Sequence, residues 1–221
     1  MKKAVIFDVD GTLLNTERLY MQGWREGGAL LGYTVTDEAL MRTRAVNVEV
    51  AKQVFRECCG EDFPYDKVRV ERVRISEALI AAASPETLRM PQAKEAVLWL
   101  KKKGLPVAVA SSTGYEHTEA HLRHAELWEL FDAVVTGDQL PKGRGKPNPD
   151  IFLMAAEKLG VKPEDCIVVG DTPADVNAGF AAGMTVILIP DQVPANDETR
   201  ARSRKVLDNI GQLPAVLEEI I

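Results

Sequence analysis

The sequence is poor in cysteine, histidine and aromatic residues, with 3 Cys, 3 His and 6% aromatics in 221 residues. Cys58 and Cys59 are adjacent and Cys166 stands alone, which is neither a disulfide framework nor a metal-ligand spacing. A reduced compartment suits that usage, and a thiol chemistry is not expected. Long hydrophobic runs are also missing. The longest stretch without a charged residue, Val176 to Pro190, is interrupted by Asn177, Gly179 and Gly183 and falls short of the ~20 apolar residues that span a bilayer. Lys2 and Lys3 precede only the apolar run Ala4 to Phe7, less than the ~7–15 residues of a secretory apolar region, so a cytoplasmic protein is expected. Nor is there a basic run. With 27 Lys plus Arg against 33 Asp plus Glu, the net charge is −6, which speaks against nucleic acid and for a small charged metabolite. What remains is ordinary: 46% hydrophobic and 27% charged residues describe a globular chain able to bury a sizeable core.

Short β-branched runs recur at Lys3 to Phe7, Pro106 to Ala110, Ala133 to Thr136, Cys166 to Val169 and Thr185 to Ile189. Continuous apolar strands of this kind are buried on both faces, as in a parallel sheet. Between them lie amphipathic helices. One carries Ala93, Ala96, Val97 and Leu100 on one face and stops at Gly104; another begins near Pro149, presents Phe152, Ala155, Ala156 and Leu159, and stops at Gly160. The pattern predicts a doubly wound α/β core over 1–14 and 88–221, with ligands bound beyond the carboxyl ends of the strands. The tail from Leu207 to Ile221 reads as a short strand and a final helix. Residues 15–87 break the alternation and read as an inserted helical unit, with Val46, Val50 and Val54 marking one helical face and Val68, Ile75 and Leu79 another. Its connections, Leu13 to Thr16 and Ser84 to Pro91, are the expected hinges.

Four motifs carry chemistry. The first strand ends in Phe7-Asp8-Val9-Asp10-Gly11-Thr12, and residues i and i+2 of an extended chain project to the same side. Two carboxylates at a buried strand end need a proton or a cation, and Mg²⁺ is the hard, oxygen-preferring partner. The second strand runs into Ser111-Ser112-Thr113-Gly114 before a helix, an arrangement of hydroxyls and free N–H groups that suits an anion. Lys146 lies in Gly145-Lys146-Pro147-Asn148-Pro149-Asp150, where two prolines stiffen the approach to a helix and an ammonium can neutralise a phosphate or a carboxylate. The fourth strand ends in Gly170-Asp171-Thr172-Pro173-Ala174-Asp175, with its two carboxylates one helical turn apart.

In this order, DxDGT, KPxPD and GDxxxD resemble the haloacid dehalogenase superfamily of phosphohydrolases, in the subgroup with a helical cap after the first motif that holds phosphoglycolate phosphatase and β-phosphoglucomutase. The resemblance spans essentially the whole chain. It implies a Mg²⁺-dependent phosphatase acting on a small phosphorylated metabolite. Asp8 would attack phosphorus and form an aspartyl phosphate, while Asp10 would protonate the leaving oxygen and then activate water. The metal would be held by the Asp8 side chain, the Asp10 backbone carbonyl and Asp171, with Asp175 in support. Ser111, Ser112 and Lys146 would bind the transferring phosphoryl group. The cap would supply most of the specificity, and a monomer or weak homodimer is expected.

Two sibling reactions differ at single residues. The dehalogenases resemble a DxYGT pattern, and Asp10 stands here where they have Tyr. The mutases carry a His ten residues after the second motif Asp and a phosphate-gripping Arg in the cap; Tyr20 and Val48 stand here instead, although Arg44 or Lys52 could substitute. A phosphoacceptor receiver module remains as an alternative of another class, distinguishable by its lack of steady phosphate release. His117, His121 and His124 share a helical face but lie among Glu116, Glu119, Arg123 and Glu126, and read as a solvated face. Trp24 and Trp99 read as core.

Overall fold

In a computed structural model of the chain, the described residues are 3–44, 46 and 48–220; Lys2 and Ile221, used above in reading the two ends, lie outside them. The described residues fall into two compact units, one formed by Thr16–Ala83 and the other by the rest.

The chain opens with strand β1 (Ala4–Phe7) and passes into the helical unit, made of α1 (Thr16–Leu30), α2 (Asp37–Arg42), α3 (Val48–Cys59) and α4 (Tyr65–Ala82). It continues through α5 (Pro85–Leu88), α6 (Ala93–Lys102), β2 (Val107–Ser111), α7 (Tyr115–His124), β3 (Ala133–Thr136) and α8 (Asp150–Leu159). The last third holds β4 (Cys166–Gly170), α9 (Pro173–Ala181), β5 (Thr185–Leu188), α10 (Asp197–Arg202), β6 (Lys205–Val206) and α11 (Leu213–Ile220).

The six strands form one parallel sheet in the order β3-β2-β1-β4-β5-β6. Connections run to one side from β1 to β3 and to the other from β4 to β6. The order reverses at β1 and β4, and the crevice beyond their carboxyl ends is where a fold of this kind binds ligands. Every residue of β1, β2 and β4 is buried, which requires apolar side chains on both faces. Ala4, Ile6, Ala108, Ala110 and Val168 pack on one face against Ile151, Phe152 and Ala155 of α8 and Val176 and Ala178 of α9. The alternate residues Val5, Phe7, Val107 and Val109 are equally buried, as are Ala93, Ala96, Val97 and Leu100 along α6. Each large side chain removed from water in this way contributes about 1.5–3 kcal/mol. The final strand begins two residues earlier than the tail pattern suggests: β6 is Lys205–Val206, and Leu207 makes the last ladder bond by donating its N–H to Leu188 O at 2.8 Å.

The helical unit has its own core. Trp24, Phe55, Phe63 and Tyr65 form an aromatic cluster in which the Phe55 and Phe63 rings stack with centroids 5.0 Å apart. α1 comes close to α4 because Gly23 and Gly27 face it; a Cβ on Gly27 would stand 3.1 Å from Arg72 N and 3.2 Å from Val68 O. Val68 and Ile75 of α4 are buried as their spacing predicts, with Leu79 only half-buried. On α3 the buried face is Ala51, Val54 and Phe55, not Val46, Val50 and Val54. The helix starts at Val48, so Val46 lies outside it, and the large ring of Phe55 draws its own side of the helix inward, leaving Val50 exposed. Neither Trp24 nor Trp99 sits in a core interior: Trp24 packs half-buried at the rim of the aromatic cluster, and Trp99 is half-buried with the Lys103 ammonium 5.1 Å from its ring.

Candidate active site

β1 carries Asp8 to the carboxyl edge of the sheet, where its N–H donates to Val169 O at 2.9 Å. The chain then turns sharply, with Leu13 N and Leu14 N both donating to Val9 O at 2.9 Å and Gly11 N donating to Leu14 O at 2.8 Å. Gly11 has φ +88°, and a Cβ there would overlap the Asp171 carboxylate. The glycine of the DxDGT motif is therefore required twice, for its left-handed backbone and for the room it leaves Asp171. Thr12 Oγ1 donates to Asp171 Oδ1 at 3.1 Å, so the first motif also steadies the carboxylate at the tip of β4.

Lys146, on the loop before α8, reaches into this turn. Its Nζ donates to Asp8 Oδ1 at 2.5 Å and to Ala110 O at 2.8 Å, and it lies 2.6 Å from Asp175 Oδ1. The last contact has ion-pair distance but not hydrogen-bond geometry, which leaves the buried Asp175 Oδ1 without a hydrogen-bond partner. Asp175 Oδ2 meanwhile closes the α9 capping box, accepting from Thr172 N at 3.1 Å and Thr172 Oγ1 at 2.5 Å. Burial works against the Lys146 charge, but the carboxylates of Asp175 and Asp8 outweigh it and hold the ammonium well above its ordinary pKa. Burial likewise pushes the Asp8 carboxyl up to about 8; Asp175 and Asp10 add to the rise and Lys146 opposes it. One ammonium thus faces more carboxylate charge than it can neutralise. Replacing it with an uncharged side chain of similar length, Lys146→Met, is expected to lower unfolding stability by about 3–5 kcal/mol, as when one partner of a buried ion pair is removed. Urea denaturation followed by circular dichroism reads this, and an unchanged midpoint would contradict it.

Carboxylate oxygens of Asp8, Asp171 and Asp175 lie within 4.8 Å of one another, and all three residues are buried. The set is all-oxygen and carries excess negative charge, a combination that fits a hard divalent cation such as Mg²⁺. Asp175 lies within this cluster. The Asp10 carboxylate is turned elsewhere, its Oδ2 accepting from Thr113 Oγ1 at 2.8 Å.

Of the two serines on the second-strand loop, Ser111 is fully buried and its Oγ accepts from Thr113 N at 3.0 Å. Ser112 is exposed, and its carbonyl lies against Gly137, where a Cβ would come within 2.8 Å of it. The structure thus brings Asp8, Lys146, Asp171 and Asp175 together, sets Asp10 beside them through Thr113, and leaves the Ser112 side chain outside. Thr113 and Thr12 were not among the residues singled out from sequence. The period-two rule that pairs Asp8 with Asp10 also pairs Ser111 with Thr113, and so could have found the first of them. One other reading changes. His121 is 3% exposed, so the histidine stripe on α7 is not a solvated face throughout. Cys166 is buried in β4, where burial pushes its thiol up to about 11 and keeps it protonated.

Comparison with known proteins decides the family, because residues 2–183 match the haloacid dehalogenase-like hydrolases. The chain belongs to that family. A phosphorylated carbohydrates phosphatase of Thermotoga maritima is 32% identical over 187 residues, covering 82% of each chain. A haloacid dehalogenase family hydrolase from Deinococcus radiodurans, solved with bound phosphate and sodium, is 28% identical, with a TM-score of 0.79 over 99% of this chain and 96% of that one. The β-phosphoglucomutase of Clostridium difficile has a TM-score of 0.78 over 99% and 97% of the two chains but only 22% identity, a likeness of fold alone. As a haloacid dehalogenase-like hydrolase of the phosphatase kind, the chain is an enzyme, and its carboxylates and lysine meet where this fold binds ligands. Among the described residues no helix is long and apolar enough to cross a membrane.

Proposed function

We propose that this enzyme hydrolyses small phosphomonoesters, sugar phosphates foremost, through a phosphoryl group carried on Asp8. The reading rests above all on Asp8 itself: a buried carboxylate at the tip of β1, 2.5 Å from a buried ammonium and beside two further buried carboxylates. Mg²⁺, held by Asp8, Asp171 and the Asp10 backbone carbonyl with Asp175 in support, would draw charge off the transferring phosphoryl oxygens.

In the first half-reaction an Asp8 oxygen forms a bond to phosphorus while the bond from phosphorus to the ester oxygen breaks, and Asp10 gives its proton to that oxygen. In the second, Asp10 takes a proton from water, the water oxygen bonds to phosphorus and the Asp8–phosphorus bond breaks, restoring both carboxyl groups. Lys146 holds Asp8 in line and offsets charge on the phosphoryl group, and Ser111 at the end of β2 presents its hydroxyl to the phosphoryl oxygens. The sugar-phosphate class is supported by the carbohydrate phosphatase relative, at 32% identity.

Hydrolysis is favoured over isomerisation by the helical unit. Tyr20 stands where the mutases have His, with the Arg72 guanidinium 4.1 Å from its ring, and Val48 stands where they have Arg, 45% exposed at the first position of α3. The two substitutes are engaged, Arg44 with Glu17 at 3.2 Å and Lys52 with Asp66 at 3.0 Å.

The test is a panel of phosphorylated sugars with Mg²⁺, read as free phosphate, together with β-glucose 1-phosphate plus a trace of glucose 1,6-bisphosphate. Steady phosphate release from at least one sugar phosphate is the expected result. Efficient glucose 6-phosphate formation with little free phosphate would overturn it in favour of a mutase, and a single stoichiometric phosphorylation without turnover would favour a receiver.

A further inference from the structure

Resting on the reading that the Ser111 hydroxyl meets the phosphoryl group, we infer that Asp138 is a positioning residue for that serine, holding the turn from Ser111 to Gly114 in place from the neighbouring strand.

The helix behind this turn has no cap of its own. α7 starts after Gly114, which carries no side chain to accept from the N–H groups of the first helical turn. Asp138 supplies the acceptor from elsewhere in the chain. It stands just beyond the end of β3, on a short turn closed by Leu140 N donating to Gly137 O at 3.2 Å. Its Oδ2 accepts from the N–H of Tyr115, the first residue of α7, at 3.1 Å, and its Oδ1 accepts from Thr136 Oγ1 at 2.5 Å. Thr136 is fully buried and pairs in register with Ser111, so this tie is anchored in the sheet beside the residue it serves. The two loops also pack closely: a Cβ on Gly137 would stand 2.8 Å from Ser112 O, and one on Gly114 would stand 3.6 Å from Asp138 Oδ2. The hydrogen bonds from Thr136 and Tyr115 hold the Asp138 carboxyl below the usual carboxylate range, so it stays an ionised acceptor at neutral pH.

The tie bears on Ser111 through one further bond. Thr113 N donates to Ser111 Oγ at 3.0 Å, so a shift of the turn moves the oxygen that meets the phosphoryl group. Asp138 itself touches no substrate in this scheme. It acts through the turn, and its bond to Tyr115 N means that this N–H serves the fold and not the substrate.

Asp138→Ala removes both bonds at once. Asp138→Asn keeps both, because its amide oxygen accepts from Tyr115 N and its NH₂ donates to Thr136 Oγ1, whose own hydrogen turns away. The readout is kcat/KM with a sugar phosphate that the wild-type enzyme hydrolyses, measured well below every melting temperature. Asp138→Ala is expected to lower it roughly five- to thirtyfold, less than the ~10²-fold that a 1 Å misplacement can cost. Asp138→Asn should stay within about twofold of wild type, since both bonds survive. Thr136→Val, which keeps the shape of a buried side chain and removes one bond, should fall between them. In a Ser111→Ala background Asp138→Ala should cost far less than it does alone, because the hydroxyl it positions is already gone. Without any substrate, amide hydrogen exchange across residues 112–118 should quicken in Asp138→Ala and not in Asp138→Asn.

Unchanged kcat/KM in Asp138→Ala would overturn the inference. So would a loss that Asp138→Asn shares in full, which would make the charge responsible and not the tie, or an undiminished loss in the Ser111→Ala background. Wild-type protein that releases phosphate from no sugar phosphate removes the hydrolytic reading and this inference with it, an outcome distinct from an active wild type that Asp138→Ala leaves untouched.

Discussion

Replacing Asp8 with Asn is expected to lower turnover by roughly 10⁴–10⁶-fold, the scale on which covalent catalysis collapses when its nucleophile is removed. An amide oxygen lacks the charge to displace an ester oxygen from phosphorus, and no other carboxylate can take its place at the tip of β1: Asp171 is held by Thr12, Asp175 by the α9 capping box, and Asp10 by Thr113. Two further measurements make the result specific. Radiolabelled phosphate should no longer remain with acid-quenched Asp8→Asn protein, whereas Asp10→Asn should still accumulate some label, since it loses only the proton shuttle. The melting temperature of Asp8→Asn should not fall, because burial disfavours the Asp8 charge and Asp175 and Asp10 repel it. Near wild-type turnover in Asp8→Asn would remove Asp8 as nucleophile.

Removal of divalent cations should be almost as severe. A bound cation is worth several kcal/mol of charge stabilisation in the transition state, so excess chelator is expected to reduce turnover about 10³-fold or more, and Mg²⁺ should restore it. The cation should also be visible without any substrate. Asp8 has its pKa raised by burial to about 8, far above the unfolded carboxyl at ~3.9. The stability tied to its neutral form is complete below the unfolded value and is lost as pH rises through about 8, because over that window the unfolded chain ionises first. Metal-free protein should therefore lose stability between pH 5 and pH 8 by an amount that Mg²⁺ largely returns, since the cation favours the ionised form. At a concentration ~100-fold over its dissociation constant the ion should add about 2.7 kcal/mol. Thermal melts at several pH values, with Mg²⁺ and with chelator, check both statements. Superimposable melts with undiminished activity in chelator would contradict them.

Much of this protein is legible in one dimension. The parallel sheet follows from runs such as Ala4–Phe7 and Cys166–Gly170, because a strand buried on both faces must be apolar at every position and so announces itself without any partner. Ends of elements are legible for the same local reason: Gly160, with φ +63°, closes α8, and Thr172 with Asp175 opens α9. The two carboxylates after β1 stand out as a motif, but the chain turns there and Asp10 is bonded to Thr113, so strand alternation does not place its carboxylate.

What sequence patterns do not carry is pairing between segments far apart in the chain. Which charge faces Lys146 is decided by β1, β2 and α9 converging at the switch in strand order, so that Asp8, Ala110 and Asp175 all arrive within 3 Å of one ammonium. Nothing local to Asp175 distinguishes a cap from a counter-ion, and the fold makes it both. The two serines after β2 look alike in the chain, yet Ser111 is the last residue of a buried strand and Ser112 the first beyond it, which sets one inside and the other in solvent. The bond from Thr113 to Asp10 spans 103 positions. Local physics, through propensity, capping and periodicity, determines which elements form and where they end. The partners of each buried charge depend on how β1 and β4 are brought side by side, because only a packed sheet holds groups so distant in sequence at bonding distance and excludes the water that would otherwise serve them.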